Sequence, residues 1–205
     1  MTLQEYMASL RGRTVAVIGI GVSNTPLLRL LLREGIAVTA CDRSDRAKLG
    51  ALAEELEAAG AVLRLGDGYL QNLSQDVIFR TPGLRPDVPQ LAAAVANGSM
   101  LTSEMEEFFR VCPCPIIAVT GSDGKTTTTT IIAELLKAAG NTVWVGGNIG
   151  HPLLCDADRM RPQDYAVLEL SSFQLMTMDR SPHIAVVTNL ATNHLDMHKD
   201  MAEYV

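Results

Sequence analysis

The chain has 205 residues, 47% of them hydrophobic and 20% charged, enough to bury a substantial core as one large domain or two smaller ones. Its 17 Lys and Arg against 23 Asp and Glu leave a net charge of −6, which excludes a global attraction to nucleic acid or anionic membrane but not a local anion site. Cys41, Cys112, Cys114 and Cys155 give neither a paired CxxC metal signature nor a disulfide framework. The opening MTLQEYMASLRGR lacks a signal-peptide core, and no apolar run nears the ~20 residues that span a bilayer. A cytoplasmic protein without membrane insertion is expected.

In chain order, Thr14 to Gly19 reads as a buried strand, GIGVSN as a flexible turn and LLRLLLREG as a helix with an apolar stripe. Ala37 to Cys41 is a second strand ending at Asp42, Ala47 to Gly60 a helix rich in Leu, Ala and Glu, and Ala61 to Leu65 a third strand. Asp76 to Arg80 gives a further strand, TPGLRPDVP a turn-rich segment and Gln90 to Asn97 a helix. Thr102 to Arg110 predicts a short helix capped by Thr102 or Ser103, before Pro113 and Pro115 interrupt helical geometry. IIAVT, GSDGK and TTTTTIIAELLKAAG then repeat the order strand, tight loop, helix. VWVGGNIG, YAVLELSS and HIAVVTNL add three strands with polar ends, as expected where parallel α/β strands deliver ligands to loops. Two adjoining α/β domains account for the pattern.

Four segments carry chemistry. In Gly19-Ile20-Gly21-Val22-Ser23-Asn24 the glycines permit close phosphate approach, and Ser23 with nearby N–H groups can hold an anion at the next helix; a purely structural turn fits the same residues. Asp42 ends the following strand, where a carboxylate can meet a nucleotide sugar or base, and Arg43 can meet phosphate. A NAD-binding oxidoreductase is the rival reading, although Asn24 stands where the dinucleotide fingerprint has its last glycine and no hydride-transfer constellation is visible.

The second segment, Gly121-Ser122-Asp123-Gly124-Lys125-Thr126, is more specific: the backbone curls around phosphate, Lys125 brings positive charge and Thr126 a hydroxyl for magnesium. Val119 stands where a GxxxxGKT loop has its first glycine, so this is a shortened phosphate loop for a nucleoside triphosphate. Thr127 to Thr130 read mainly as helix residues. In the third, LELSSFQL, Glu169 at a strand end is a candidate magnesium ligand, and Ser171 and Ser172 stabilise the loop or touch substrate. In the fourth, NLATNHLDMH, His194 is a candidate metal ligand or polar contact, whereas His198 reads as a surface or domain-junction residue. A serine hydrolase fits poorly, because neither Ser171 nor Ser172 lies in GxSxG.

Together GSDGKTT, VGGNIG, LELSSFQL and NLATNHLDMH, in this order, resemble the ATP-dependent Mur ligases of bacterial peptidoglycan synthesis. The resemblance covers essentially the whole chain. It implies a Rossmann-like domain over 1–102 for a uridine-nucleotide substrate and a truncated P-loop ATPase-like α/β domain over 103–205. Gly21, Val22 and Ser23 would face the diphosphate, Asp42 and Arg43 the uracil, Thr81, Pro82, Gly83 and Asn148 the rest of the substrate, with Ser171 beside them. Gly121, Ser122, Asp123, Gly124, Lys125, Thr126 and Thr127 would surround ATP, and Thr126, Glu169 and His194 would hold Mg2+; Lys125, Glu169 and His194 would be catalytic.

The implied reaction activates the carboxylate of UDP-N-acetylmuramoyl-L-alanine as an acyl phosphate and adds D-glutamate, in a cytoplasmic monomer with no nucleic-acid partner. Two positions depart from the family pattern: Asp123 replaces an asparagine and Asn193 an aspartate. A C-terminal third domain and a carbamylated lysine of the family have no counterpart here, and Lys199 lies too early for the latter. The 205 residues are therefore expected to lack complete ligase activity, with a non-catalytic uridine-nucleotide-binding module as the alternative.

Overall fold

A computed structural model describes residues 1–191 and 198–204. Two parallel sheets form. The first orders its strands β3-β2-β1-β4-β5, where β1 is Thr14–Ile18, β2 Ala37–Asp42, β3 Val62–Leu65, β4 Val77–Phe79 and β5 Met100–Thr102. The second runs β7-β8-β6-β9, with β6 at Ile116–Thr120, β7 Val143–Gly147, β8 Tyr165–Glu169 and β9 Ile184–Val187. Continuous apolar runs such as TVAVI and IIAVT suit central parallel strands, which are covered on both faces and therefore do not alternate.

Helices α1 (Leu3–Leu10), α2 (Thr25–Arg33), α3 (Arg46–Leu49), α4 (Ala51–Ala58), α5 (Pro89–Ala96), α6 (Glu104–Val111), α7 (Lys125–Ala138), α8 (Ser172–Leu175) and α9 (Met201–Tyr204) complete the described elements with two short 3-10 turns. α2 buries Leu27, Leu28, Leu30 and Leu31, the i, i+1, i+3, i+4 stripe that its sequence announces. The helix expected over Ala47 to Gly60 is instead two, because Gly50 adopts φ +53° and ends α3, whose Asp45 cap accepts from the Lys48 N–H. Ser103, not Thr102, caps α6 by accepting from Glu106 N. α1 was not among the expected elements; Thr2 and Glu5 close a reciprocal capping box at its start, and Leu3, Tyr6, Met7 and Leu10 form its buried stripe.

The sheets share one core. Leu3, Tyr6 and Leu10 of α1 and Leu27 and Leu31 of α2 join Val15 and Val17 of the first sheet to Phe108, Ile116, Ala118, Ala166 and Leu168 around the second. A smaller cluster of Ala16, Ile18, Ile78, Leu91 and Ala94 covers the other face of the first sheet. Each fully buried Leu or Phe here stabilises by roughly 1.5–3 kcal/mol. Among the described residues no helix is long and apolar enough to cross a membrane.

Candidate functional site

All strands within each sheet are parallel, so their C-terminal ends gather the loops that follow them. In the first sheet the chain moves outward from β1 to β3 and then returns to the other side of β1 with β4, which opens a crevice between the loops after β1 and β4. Gly19 sits at φ +93°, and a Cβ there would lie 3.0 Å from that of Thr81. The two loops touch at that point.

A cleft of about 430 Å3 occupies this crevice, lined among others by Gly21, Val22, Ser23, Asp42, Arg43, Thr81 and Gly83. Seven of the ten expected substrate residues are thus brought together. Tyr69 and Leu84 also line it and carried no motif. Asp42 also shapes the cleft, because its carboxylate accepts from Ile20 N at 2.6 Å and Ser44 N at 2.7 Å and so fixes the glycine turn to the end of β2. Asn24, 2% exposed, donates from Nδ2 to the Ile18 carbonyl at 3.0 Å. A side chain therefore fills the corner where a dinucleotide fingerprint needs a bare glycine for close packing.

Pro82 and Asn148 line a second cleft of about 200 Å3, which Val22 and Ser23 border as well and to which Glu104 and Gln174 contribute from the second half. The clefts meet at Ser23. Arg80, 1% exposed at the end of β4, donates to the carbonyls of Leu84 (3.1 Å) and Phe173 (3.1 Å) and to Thr177 Oγ1 (2.8 Å), tying the Thr81–Leu84 loop to the second half. Burial lowers its pKa from the usual guanidinium value, with Glu106 opposing. Only its position before TPG hinted at this role.

In the second sheet, β6 and β8 are neighbours with Val119 opposite Glu169, so the loop after β6 stands beside the carboxylate that ends β8. Gly121 (φ +129°) and Gly124 (φ +81°) turn the loop into α7, whose first residue is Lys125 and whose N-terminus has no side-chain cap. The first-turn N–H groups are the donors an anion would meet. Lys125 Nζ donates to the Gly121 and Ser122 carbonyls at 2.7 and 2.9 Å, lying across the loop. Asp123 is exposed, and its carbonyl accepts from Thr188 Oγ1 at 2.6 Å and Asn189 Nδ2 at 2.9 Å. Thr127 is exposed on the first turn, whereas Thr129 is buried and donates to the Lys125 carbonyl at 2.8 Å.

Glu169 is 2% exposed. One oxygen accepts from Thr126 Oγ1 at 2.6 Å, the other from Asn148 Nδ2 at 2.7 Å. Both partners are neutral, and among the described residues no cation pairs with this carboxylate. A buried carboxylate without a counter-charge is costly in a dry interior. The residues fit a hard divalent cation, which takes one or two protein oxygens and keeps its remaining positions for water and phosphate. No cluster of three His, Cys, Asp or Glu occurs among the described residues. His194 lies outside the described residues.

Ser171 caps α8: its Oγ accepts from Gln174 N at 3.4 Å and donates to Gln174 Oε1 at 3.0 Å, so its hydroxyl serves the turn after Glu169. His198 is buried at 3% exposure rather than at the surface. Its ring stacks on Phe173 with centroids 5.4 Å apart, and Nε2 meets Ser172 Oγ at 2.9 Å.

This two-cleft arrangement defines a parallel α/β protein with a glycine-rich loop that opens a helix, and residues 119–205 are similar to the Mur ligase middle domain. Over nearly its whole length the chain is similar to UDP-N-acetylmuramoylalanine–D-glutamate ligases. The chain is 52% identical over 204 residues to the one from Acetivibrio thermocellus (99% of this chain, 44% of the relative) and 53% identical over 202 residues to the one from Clostridium botulinum (98% and 44%). The chain thus spans under half the length of these curated relatives.

Among solved structures it is similar to UDP-N-acetylmuramate:L-alanyl-γ-D-glutamyl-meso-diaminopimelate ligase from Neisseria meningitides, with a TM-score of 0.52 at 20% identity over 94% of this chain and 65% of that one. A UDP-N-acetylmuramate-alanine ligase from Thermotoga maritima gives a TM-score of 0.52 at 21% identity over 94% and 45%. These likenesses establish the fold.

Proposed function

We propose that the chain binds a UDP-linked muramoyl substrate at the first sheet and Mg-ATP at the second, as part of a ligase that adds D-glutamate to UDP-N-acetylmuramoyl-L-alanine. The observation that carries this reading is the Thr126–Glu169–Asn148 set under the GSDGKT loop: a buried carboxylate held, among the described residues, by neutral donors beside an uncapped helix N-terminus. Residues 1–102 form the Rossmann-like substrate domain and residues 103–205 the P-loop ATPase-like part. The high identity to the D-glutamate ligases supports the choice of substrates.

In the first cleft, Gly21, Val22 and Ser23 hold the diphosphate, Asp42 and Arg43 read the base, and the Thr81-Pro82-Gly83 loop with Asn148 receives the muramoyl portion. Ser171 acts from behind by shaping the turn after Glu169. At the phosphate loop, Gly121 to Thr127 surround the triphosphate, Lys125 moves its ammonium from the loop carbonyls onto phosphate oxygens, and Thr126 and Glu169 hold magnesium, with His194 assigned to the same ion. Bound magnesium supplies neutralisation of phosphate charge during transfer. The substrate carboxylate would take the γ-phosphoryl group as the β–γ bond of ATP breaks and ADP leaves, giving an acyl phosphate, and the D-glutamate amine would attack its carbonyl carbon, lose a proton and expel phosphate to form the amide. Positioning and electrostatics carry the reaction, without a covalent protein intermediate.

Glu169→Gln keeps the shape and removes the charge; its amide oxygen can still accept from Asn148 Nδ2, while its amide N–H would donate to Thr126 Oγ1, reversing that bond. Calorimetric titration of ATP should show affinity for the native chain rising with Mg2+, and the Mg2+ dependence should fall about tenfold or more in the variant. Identical Mg2+ dependence in both proteins would refute the metal assignment. The second reading, a uridine-nucleotide module without ATP binding, is favoured by the seven expected substrate residues that line the first cleft; saturable binding of the UDP substrate with none of ATP would select it.

A further inference from the structure

Ser122 of the phosphate loop is 4% exposed and its hydroxyl has three neighbours at 2.8 Å: the Ala191 carbonyl, the Ala191 N–H and the Tyr204 hydroxyl. A serine hydroxyl has one proton and two lone pairs. The proton goes to the carbonyl, so the two lone pairs accept from Ala191 N–H and from Tyr204, which must be the donor. The Tyr204 ring is held by His198, whose ring lies 5.2 Å away edge-on and is itself seated on Phe173. The hydroxyl is therefore aimed by packing and not only by its bond.

The preceding residue points to the other half. Glu203 forms a bidentate pair with Arg85, at 2.8 and 3.0 Å, and also accepts from Lys199 N at 2.7 Å. Arg85 follows Gly83 and Leu84 of the first cleft by one or two residues and is held flat by a second bidentate pair with Asp87, at 2.8 Å for both bonds. The Arg85 and Glu203 side chains are only 20% and 25% exposed, which reduces solvent screening relative to an open surface pair. The Arg85 guanidinium holds the Glu203 carboxyl at about 2, below the usual carboxylate range. Two adjacent side chains of α9 thus join the loop after β4 to the loop after β6.

We propose that Arg85, Glu203 and Tyr204 form a clasp that positions the phosphate loop through Ser122, making Tyr204 a positioning residue for nucleotide binding. The inference rests on the Mg-ATP reading of that loop. Tyr204→Phe keeps the ring against His198 and deletes the donor, leaving a buried lone pair of Ser122 unfilled. Glu203→Gln keeps the shape of the side chain and removes the charge that binds Arg85.

Calorimetric titration of Mg-ATP into the 205-residue chain, Tyr204→Phe, Ser122→Ala and the double variant tests it. Tyr204→Phe should weaken Mg-ATP about 5- to 10-fold with the unfolding midpoint held within about 2 °C, Glu203→Gln should weaken it in the same direction, and the Tyr204→Phe effect should vanish in the Ser122→Ala background. Native binding with Tyr204→Phe within twofold of it, or with effects that simply multiply in the double variant, overturns the clasp and leaves the nucleotide reading intact. A midpoint that falls in step with affinity also counts against the clasp, since it reports a general structural loss. A native chain that binds no Mg-ATP overturns the nucleotide reading and the clasp with it.

Discussion

Gly147 ends β7 at φ +97°, and a Cβ built there would lie 3.1 Å from the Glu169 carbonyl carbon and closer still to its oxygen. That oxygen already accepts from Asn148 N at 2.8 Å. The absence of a side chain at residue 147 therefore lets β7 deliver Asn148 to the Glu169 carboxylate. Gly147→Ala combines a disfavoured backbone angle with a clash against backbone that cannot yield, and should destabilise the fold by about 1–3 kcal/mol while weakening Mg-ATP. Gly83 is the control: no atom lies within 4 Å of a Cβ placed there, and its φ is not in the left-handed region. Urea unfolding of the two variants should separate them, and equal losses would contradict the packing account.

At the scale of elements, α6 forms where a short helix was expected, but its sequence does not announce its burial. Its sequence, EMEEFFRV, buries three carboxylates between the halves. Two of them accept from a donor, Glu104 from Leu154 N at 2.7 Å and Glu107 from Thr102 Oγ1 at 2.5 Å, whereas Glu106 donates its backbone N–H to Ser103 Oγ at 3.2 Å and leaves its Oε2 without a hydrogen-bond partner among the described residues. Burial pushes Glu104 up to about 7, with its backbone hydrogen bonds opposing. The native state then holds a proton between about pH 4.5 and 7 that the unfolded chain has released, so this group makes stability fall as pH rises through that window. Glu104→Gln keeps an acceptor for Leu154 N and removes the ionisation. Its gain over the native chain should grow from about pH 5 to about pH 7.5, to on the order of 1–3 kcal/mol. Thermal unfolding across that range measures it, and a gain that does not change with pH would contradict the assignment.

The same scale shows what the sequence makes legible. TVAVI, IIAVT and the α2 stripe were readable because burial on both faces leaves an unbroken apolar run and burial on one helical face leaves a stripe of helical period. The break at Gly50 was not, since Leu, Ala and Glu continue on both sides and only the backbone angle divides them. β5 has three residues, too few for any period, whereas α1 does carry a stripe, Leu3, Tyr6, Met7 and Leu10, that spans only eight residues. Among site residues, those in glycine loops and at strand ends were legible. Arg80 and Tyr204 were not, because their partners lie 93 and 82 residues away in sequence.

For the molecule as a whole, the two halves share a core and meet at the second cleft, yet their ligand loops arise from separate sheets. Separate sheets predict separable binding. The Lys125 ammonium donates to the phosphate loop, whereas Asp42 fixes the glycine turn of the first cleft. The most direct test is a pair of calorimetric titrations, Mg-ATP and UDP-N-acetylmuramoyl-L-alanine, on the native chain, Lys125→Ala and Asp42→Ala. With two independent sites, Lys125→Ala loses at least about tenfold in Mg-ATP affinity while keeping the UDP substrate, and Asp42→Ala does the reverse. Equal losses of both ligands in both variants, or no loss in either, would contradict it.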